Sequence, residues 1–357
     1  MYLYIIYFIF SFLSFLEIGG GRKITRKLFF LSLFLLFLLS CLRWDRGTDW
    51  EAYLDIFNGI ENVFYLKTYE PGFYFLNYFV REFTNNYTWM LAAQSVIIYS
   101  LSYYIIKKYS WSGFISLTVW FGFLIGSVFF VRFHVALTFI FFSIIYIRDR
   151  KFWKFLLCVV LASLFHRTSI LFIPAYFVYN KNFSRKFFMI AIIFSFLLGT
   201  VFKNGLIYLS ELSFGMFSEK AIAYLTGDDK ELLGDRSAVG IMIVGFSYRI
   251  LLMGLILAFY YQLYKNDVFF RGLINIYLIG ICLFIIVTPV SVPMARMSIF
   301  YEYFQILFVP YLVLWKKISR LKGLILFFVV LFYFARLVNN IAAYEDRFIP
   351  YKSIITL

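Results

Sequence analysis

Few side chains in this sequence are equipped for chemistry, and they cluster. The stretch CLRWDRGTDWEAY brings Arg43, Asp45, Arg46, Asp49 and Glu51 together directly after LFFLSLFLLFLLS, a run without a charge. Arg132 lies in FFVRFHVAL, His166 and Arg167 in LFHRTSILFIP, Arg296 in MARMSIFYEYF, and Glu70 opens EPGF. Arginine donates bidentate hydrogen bonds from a rigid fork that matches phosphate oxygens, so several at one depth suit a bound diphosphate. Arg132, Arg167 and Arg296, with Arg43 and Arg46, are the candidate diphosphate ligands. A transfer reaction also needs a base on the acceptor, for which Asp49, Glu70 and His166 are the candidates. Gly47 and Thr48 offer a turn beside Asp49, and together with Tyr53 and Tyr301 they are candidate substrate contacts. The competing account is structural: an Arg snorkels at an interface, or pairs with Glu70, Glu302 or backbone carbonyls purely for packing. Asp49 beside Arg46 can likewise be an ion pair that holds the loop, and His134 reads as a histidine satisfied by a helical neighbour.

The elements that must position these residues are membrane helices. With 63% of residues hydrophobic, 24% aromatic and 15% charged, the chain cannot hide its apolar surface in one soluble core. The formal charge of +15 invites a nucleic-acid partner. No basic stripe with interleaved aromatics supports one, and Lys and Arg lie between apolar runs. The N-terminal apolar stretch carries its charges after it and lacks a cleavage site, so it reads as a retained first span. Cys41, Cys158 and Cys282 have neither disulfide nor metal-ligand spacing, and no metal or cofactor is expected.

The expected fold is an all-α polytopic membrane protein of about twelve spans, between ten and fourteen. They fall near 2–18, 27–43, 87–106, 112–130, 132–147, 153–166, 168–180, 187–203, 238–262, 268–288, 297–315 and 322–338. The sixth and seventh are short enough for a hairpin or broken pair, and Pro310 should bend the eleventh. The basic loops RKITRK, KK, RDRKFWK, NKNFSRK, YKN and KKISRLK all fall on one side, which the positive-inside rule makes cytoplasmic. Both termini, loop 44–86, segment 204–237 and tail 339–357 then face outward, within one membrane domain covering 1–357. Segment 204–237 reads as amphipathic interfacial helices and a possible lid, and Glu70-Pro71 as the N-cap and first residue of another interfacial helix.

In order along the chain stand L-R-x-x-x-G-T-D-W-x-x-Y (Leu42 to Tyr53), E-P-G-F (Glu70 to Phe73) and V-R-x-x-x-A (Val131 to Ala136). F-H-x-T-S-x-L-F-I-P (Phe165 to Pro174), a late Arg296 and P-Y-K-S from Pro350 follow. This series resembles the EpsG family of bacterial exopolysaccharide proteins, itself similar to the Wzy O-antigen and capsule polymerases. One departure is Phe133 where the family often has Gln after the arginine. The resemblance implies a GT-C-like fold in the bacterial inner membrane, with its active site facing the periplasm. It implies polymerisation of repeat units carried on undecaprenyl diphosphate, which supplies both donor and acceptor, and the bilayer and a chain-length regulator as partners. Two other functions use the same head group: a flippase for lipid-linked oligosaccharide, and an O-antigen ligase-like transferase. A flippase should carry cations through the depth of a central cavity, whereas here only Arg249 and Arg271 lie within spans away from the outer face.

Overall fold

The structure, a computed structural model, describes residues 1–61, 65, 68–212, 238–291, 293–315 and 320–356. Among these the chain is helical, with one isolated antiparallel bridge between Arg43 and Ser353. In chain order α1 is Tyr2–Ile18, α2 Arg22–Cys41, α3 Trp50–Asn58, α4 Pro71–Phe83, α5 Tyr87–Tyr109 and α6 Gly113–Leu124. Then come α7 Arg132–Phe142, α8 Ile144–Arg148, α9 Phe152–Ser163, α10 Pro174–Val178, α11 Arg185–Leu212 and α12 Ala238–Ala258. The last are α13 Val268–Val287, α14 Ile299–Glu302, α15 Gln305–Leu314, α16 Lys322–Ala342 and α17 Glu345–Phe348. The chain divides into two compact units, Met1–Ile173 with Gln305–Leu357, and Pro174–Phe304.

The first unit is built around α6, whose residues from Phe114 to Leu124 are all buried and which packs against α1, α15 and α16. Its first turn is capped from two sides, which fixes α1 to it. Ser112 Oγ accepts from the Ile115 amide at 3.1 Å, and Glu17 of α1 accepts from the Phe114 amide at 3.1 Å and the Ser112 hydroxyl at 2.5 Å. Gly122 lets α16 approach, since a Cβ there would meet the Cβ and carbonyl of Tyr333 at 2.6 Å. Gly122→Ala is therefore expected to cost about 1–3 kcal/mol by overpacking, read as a lower melting midpoint in detergent; an unchanged midpoint contradicts this packing.

The helix ends in left-handed backbone at Ile125 (φ 51°) and Ser127 (φ 64°), rare for residues with side chains. Tyr99 donates to the Gly126 carbonyl at 2.8 Å, and Trp120 Nε1 to Ser127 Oγ at 3.0 Å, so the turn is held from both sides. This turn sets Phe129 and the start of α7 at the mouth of α2. His134 is satisfied there, with Nδ1 2.6 Å from Ser127 Oγ and its ring stacked on Phe130.

In the second unit α13 is the centre, packed by α10 and α11. Asn275 of α13 donates to the carbonyls of Val178, Tyr179 and Lys181, which satisfies the open end of α10.

Each of the predicted spans contains helix, but their lengths differ. Five described helices are long and apolar enough to cross a membrane: α5, α11, α12, α13 and α16. A sixth results if the helices on either side of Tyr303 and Phe304 form one span. Twelve full crossings are not reached among the described residues, because apolar helices such as Tyr2–Ile18, Gly113–Ser127 and Phe152–Ser163 have only 10–17 residues. At 1.5 Å per residue these fall short of a hydrocarbon core of about 30 Å. The eleventh predicted span breaks at Tyr303 and Phe304 rather than at Pro310, which sits inside α15. Pro310 has no N–H for the Ile306 carbonyl, and that oxygen accepts from Ser116 Oγ at 2.7 Å instead. Helix α11 runs past the predicted end at 203 to Leu212, into the segment 204–237 read as interfacial helices and a lid, and the rest of that segment, 213–237, lies outside the described residues.

Within each unit the basic loops share one end. Glu17 reaches Ser112, Lys322 Nζ donates to the Ile18 carbonyl, and Arg148 lies over the Tyr109 ring. In the second unit Lys265 Nζ donates to Asn182 and the Phe183 amide to Tyr264 Oη.

Candidate active site

The loop between α2 and α3 is shaped by a buried arginine. Arg43, 1% exposed, donates through Nη1 to the carbonyls of Arg46 (2.7 Å) and Phe129 (2.8 Å), with its guanidinium over the Trp50 ring. Gly47 adopts φ 115°, and a Cβ there would sit 2.6 Å from Arg43 Nη1 and 2.9 Å from the Phe129 carbonyl. Only glycine fits both demands. Arg46 is also committed, through Nε to the Pro350 carbonyl and Nη1 to the Asp45 carbonyl. Its ion-pair partner is Asp45 at 3.9 Å, so the predicted alternative of an Arg46–Asp49 pair is absent among the described residues. Asp49 caps α3, is exposed, and forms no side-chain hydrogen bond or ion pair among the described residues. Thr48 beside it is half-buried.

A second cluster forms where α4, α7 and the turn after α9 meet. Glu70 is the N-cap of α4 with Pro71 at the first helical position, as the Glu-Pro pair implies. Its helix faces inward through Phe73, Tyr74 and Asn77, while Phe75, Phe79 and Phe83 are exposed. Gly72 lies against the Leu164 backbone, and the Phe73 amide donates to the Leu164 carbonyl at 3.2 Å. That contact brings Glu70 to the His166–Arg167 turn. Its carboxylate accepts from Arg132 Nη1 at 2.6 Å and from the Arg167 amide at 3.3 Å. Arg132 lies over the rings of Tyr69 and Phe73, while its Nε is buried without a hydrogen-bond partner among the described residues. Tyr53 of α3 lies near Arg132; burial pushes its hydroxyl up to about 12, with the Arg132 charge opposing. The Arg167 side chain is exposed and untied among the described residues. His166 Nδ1 lies 2.7 Å from Thr168 Oγ1, with its ring edge-on to Phe133.

The structure thus gathers Asp49, Tyr53, Glu70, Arg132, His166 and Arg167 within the first unit. Arg296 and Tyr301 belong to the second. Arg296 is exposed in the 3-10 turn Pro293–Ser298, whereas Tyr301 is 1% exposed against Gly280 and presents no surface to a ligand. Arg249 is tied on every side there. It donates to Glu302 Oε1 at 2.7 Å, Ser298 Oγ at 3.2 Å and the Gly245 carbonyl at 2.7 Å, and lies on the Phe284 ring. Arg249→Ala leaves Glu302 buried without its cation and is expected to cost about 3–5 kcal/mol, enough to remove the protein from membranes; normal levels by immunoblot contradict this.

Sequence reasoning missed two features. Arg336, near the end of α16, is 9% exposed over the Phe123 ring, and its signal is a lone charge closing FFVVLFYFAR. The C-terminal segment is the other, for it lies against the Arg43–Asp49 loop, where Lys352 Nζ reaches Asp45 Oδ2 at 2.5 Å. The Lys352 hydrogen bond holds the Asp45 carboxyl below its ordinary pKa, so the pair contributes at neutral pH and is lost only as pH falls through that lowered value.

Comparison with known proteins adds the frame for this geometry. No curated protein and no solved structure matches the chain. The sequence model of the EpsG family matches residues 26–353, nearly the whole length, and the chain belongs to that family of Wzy-like polymerases.

Proposed function

We propose that the chain polymerises lipid-linked repeat units at the periplasmic face of the bacterial inner membrane. It transfers a growing glycan from undecaprenyl diphosphate to the non-reducing end of the next unit. The cluster around Glu70 carries the reading: its carboxylate accepts from the Arg132 guanidinium and from the Arg167 backbone amide, and the exposed Arg167 guanidinium has donors to spare among the described residues. A diphosphate has the oxygens to take them.

The acceptor hydroxyl attacks the anomeric carbon, and the bond to the diphosphate oxygen breaks with its electron pair. Arg132 and Arg167 stabilise the charge growing on that leaving group. Glu70 positions both arginines, and Asp49 takes the hydroxyl proton, with His166 as the competing base. Thr48 and Tyr53 flank the acceptor, while Arg43 and Gly47 hold the loop. About twelve crossings in a GT-C-like arrangement complete the proposal.

The locked environment of Arg249 favours a one-sided enzyme over a transporter, because a translocating cation must exchange partners. Purified protein in liposomes with lipid-linked repeat units is the test. The expected result is a ladder of polymer with one lipid diphosphate released per bond. Movement of units across the bilayer without bond formation, or transfer only to another acceptor, would overturn it in favour of a flippase or a ligase.

A further inference from the structure

The C-terminal segment makes more polar contacts with the Leu42–Gly47 loop than a surface tail requires. The Trp44 amide donates to the Lys352 carbonyl (2.9 Å), the Gly47 amide to the Arg347 carbonyl (3.0 Å) and the Ile354 amide to the Leu42 carbonyl (3.0 Å). Arg46 Nε donates to the Pro350 carbonyl, Lys352 pairs with Asp45, and Tyr351 Oη donates to the Leu39 carbonyl at 2.9 Å. The far side is anchored as well, by Tyr2 Oη donating to the Phe348 carbonyl at 2.9 Å and by Phe129 packing on Phe348. The loop needs such support. Asp45 (φ 49°) and Gly47 (φ 115°) are both left-handed, and the loop hands directly into α3, with Asp49 as its N-cap and Tyr53 in its first turn.

We infer that Arg347–Ile354 is a clasp that sets the position of the Asp49 carboxylate, with Lys352 and Asp45 as positioning residues. Asp49 has no side-chain bond of its own among the described residues, so its place is set through the backbone, by this loop on one side and by the first turn of α3 on the other. Among the described residues no hydrogen bond or ion pair joins the clasp to Glu70 or Arg167. Loosening it should therefore lower turnover without weakening donor binding. The inference rests on the polymerase reading for its catalytic consequence, and on geometry alone for the ordering of the loop.

Two readouts on the full-length protein separate these: amide hydrogen exchange in residues 42–50, and turnover against donor KM. Lys352→Glu, which repels Asp45, and Asp45→Asn, which keeps the tolerance for a left-handed backbone, should each speed exchange about fivefold. Each should lower kcat by a similar factor with donor KM within twofold, and Lys352→Arg should restore both. Unchanged exchange in Lys352→Glu, or faster exchange with full kcat, overturns the clasp. A wild-type protein without turnover defeats the polymerase reading instead, and the exchange arm then still decides whether the tail orders the loop.

Discussion

Arg132→Ala is expected to abolish polymer, with kcat lower by about 10²–10³-fold, the cost of losing one donor aimed at charge that develops in the transition state, about 2.7–4 kcal/mol. Arg132→Lys should recover little, because an ammonium cannot hold Glu70 and a diphosphate oxygen along two directions at once. Glu70 gives the sharper contrast. If its work is positioning, Glu70→Gln keeps an acceptor for the Arg167 amide, weakens the grip on Arg132, and raises donor KM together with a fall in kcat. A general base would behave differently, losing kcat alone. Steady-state kinetics on lipid-linked units, with protein levels matched by immunoblot, decide between them. Full turnover in both Arg132 variants contradicts the assignment.

Much of this site is legible in residue order. Glu-Pro announces a helix start, and the structure has Glu70 as N-cap and Pro71 at the first helical position. GTDW announces a glycine turn followed by a helix, and Gly47 adopts the left-handed backbone while Asp49 caps α3. What sequence does not reveal is partnership across long separations. Arg43 looks like a free cation at a membrane boundary, yet its Nη1 is held by two backbone carbonyls, one of them 86 residues away. Arg46 looks like a partner for Asp49, yet it turns to a carbonyl 304 residues distant. Such contacts depend on how helices bring loops together, and local periodicity carries no record of that. Span counting meets a related limit: hydropathy marks α9 as apolar and short, and the structure adds the turn at Leu164–Arg167 that ends it at Ser163.

Asp49→Asn is expected to reduce turnover by about 10²–10⁴-fold while donor binding persists, the range typical of a general base. The amide keeps the shape and loses the acceptor-only carboxylate. No side-chain partner among the described residues depends on Asp49, so folding should be spared, unlike the case of a buried pair. His166→Ala is the comparison, since its ring stands beside Arg167 and leans on Thr168. Turnover that survives Asp49→Asn but not His166→Ala transfers the role of base to His166. Turnover that survives both leaves catalysis to leaving-group stabilisation by the arginines.

Equilibrium binding tests whether the Glu70 cluster holds a lipid diphosphate without any need for turnover. Undecaprenyl diphosphate should bind the purified full-length protein more tightly than undecaprenyl monophosphate, with an affinity that falls as salt rises. Arg132→Ala and Arg167→Ala should each weaken the diphosphate about tenfold or more, and Gly122→Ala should leave it unchanged. Equal affinity for the two lipids, or full affinity in both arginine variants, would rule out a diphosphate site at Glu70.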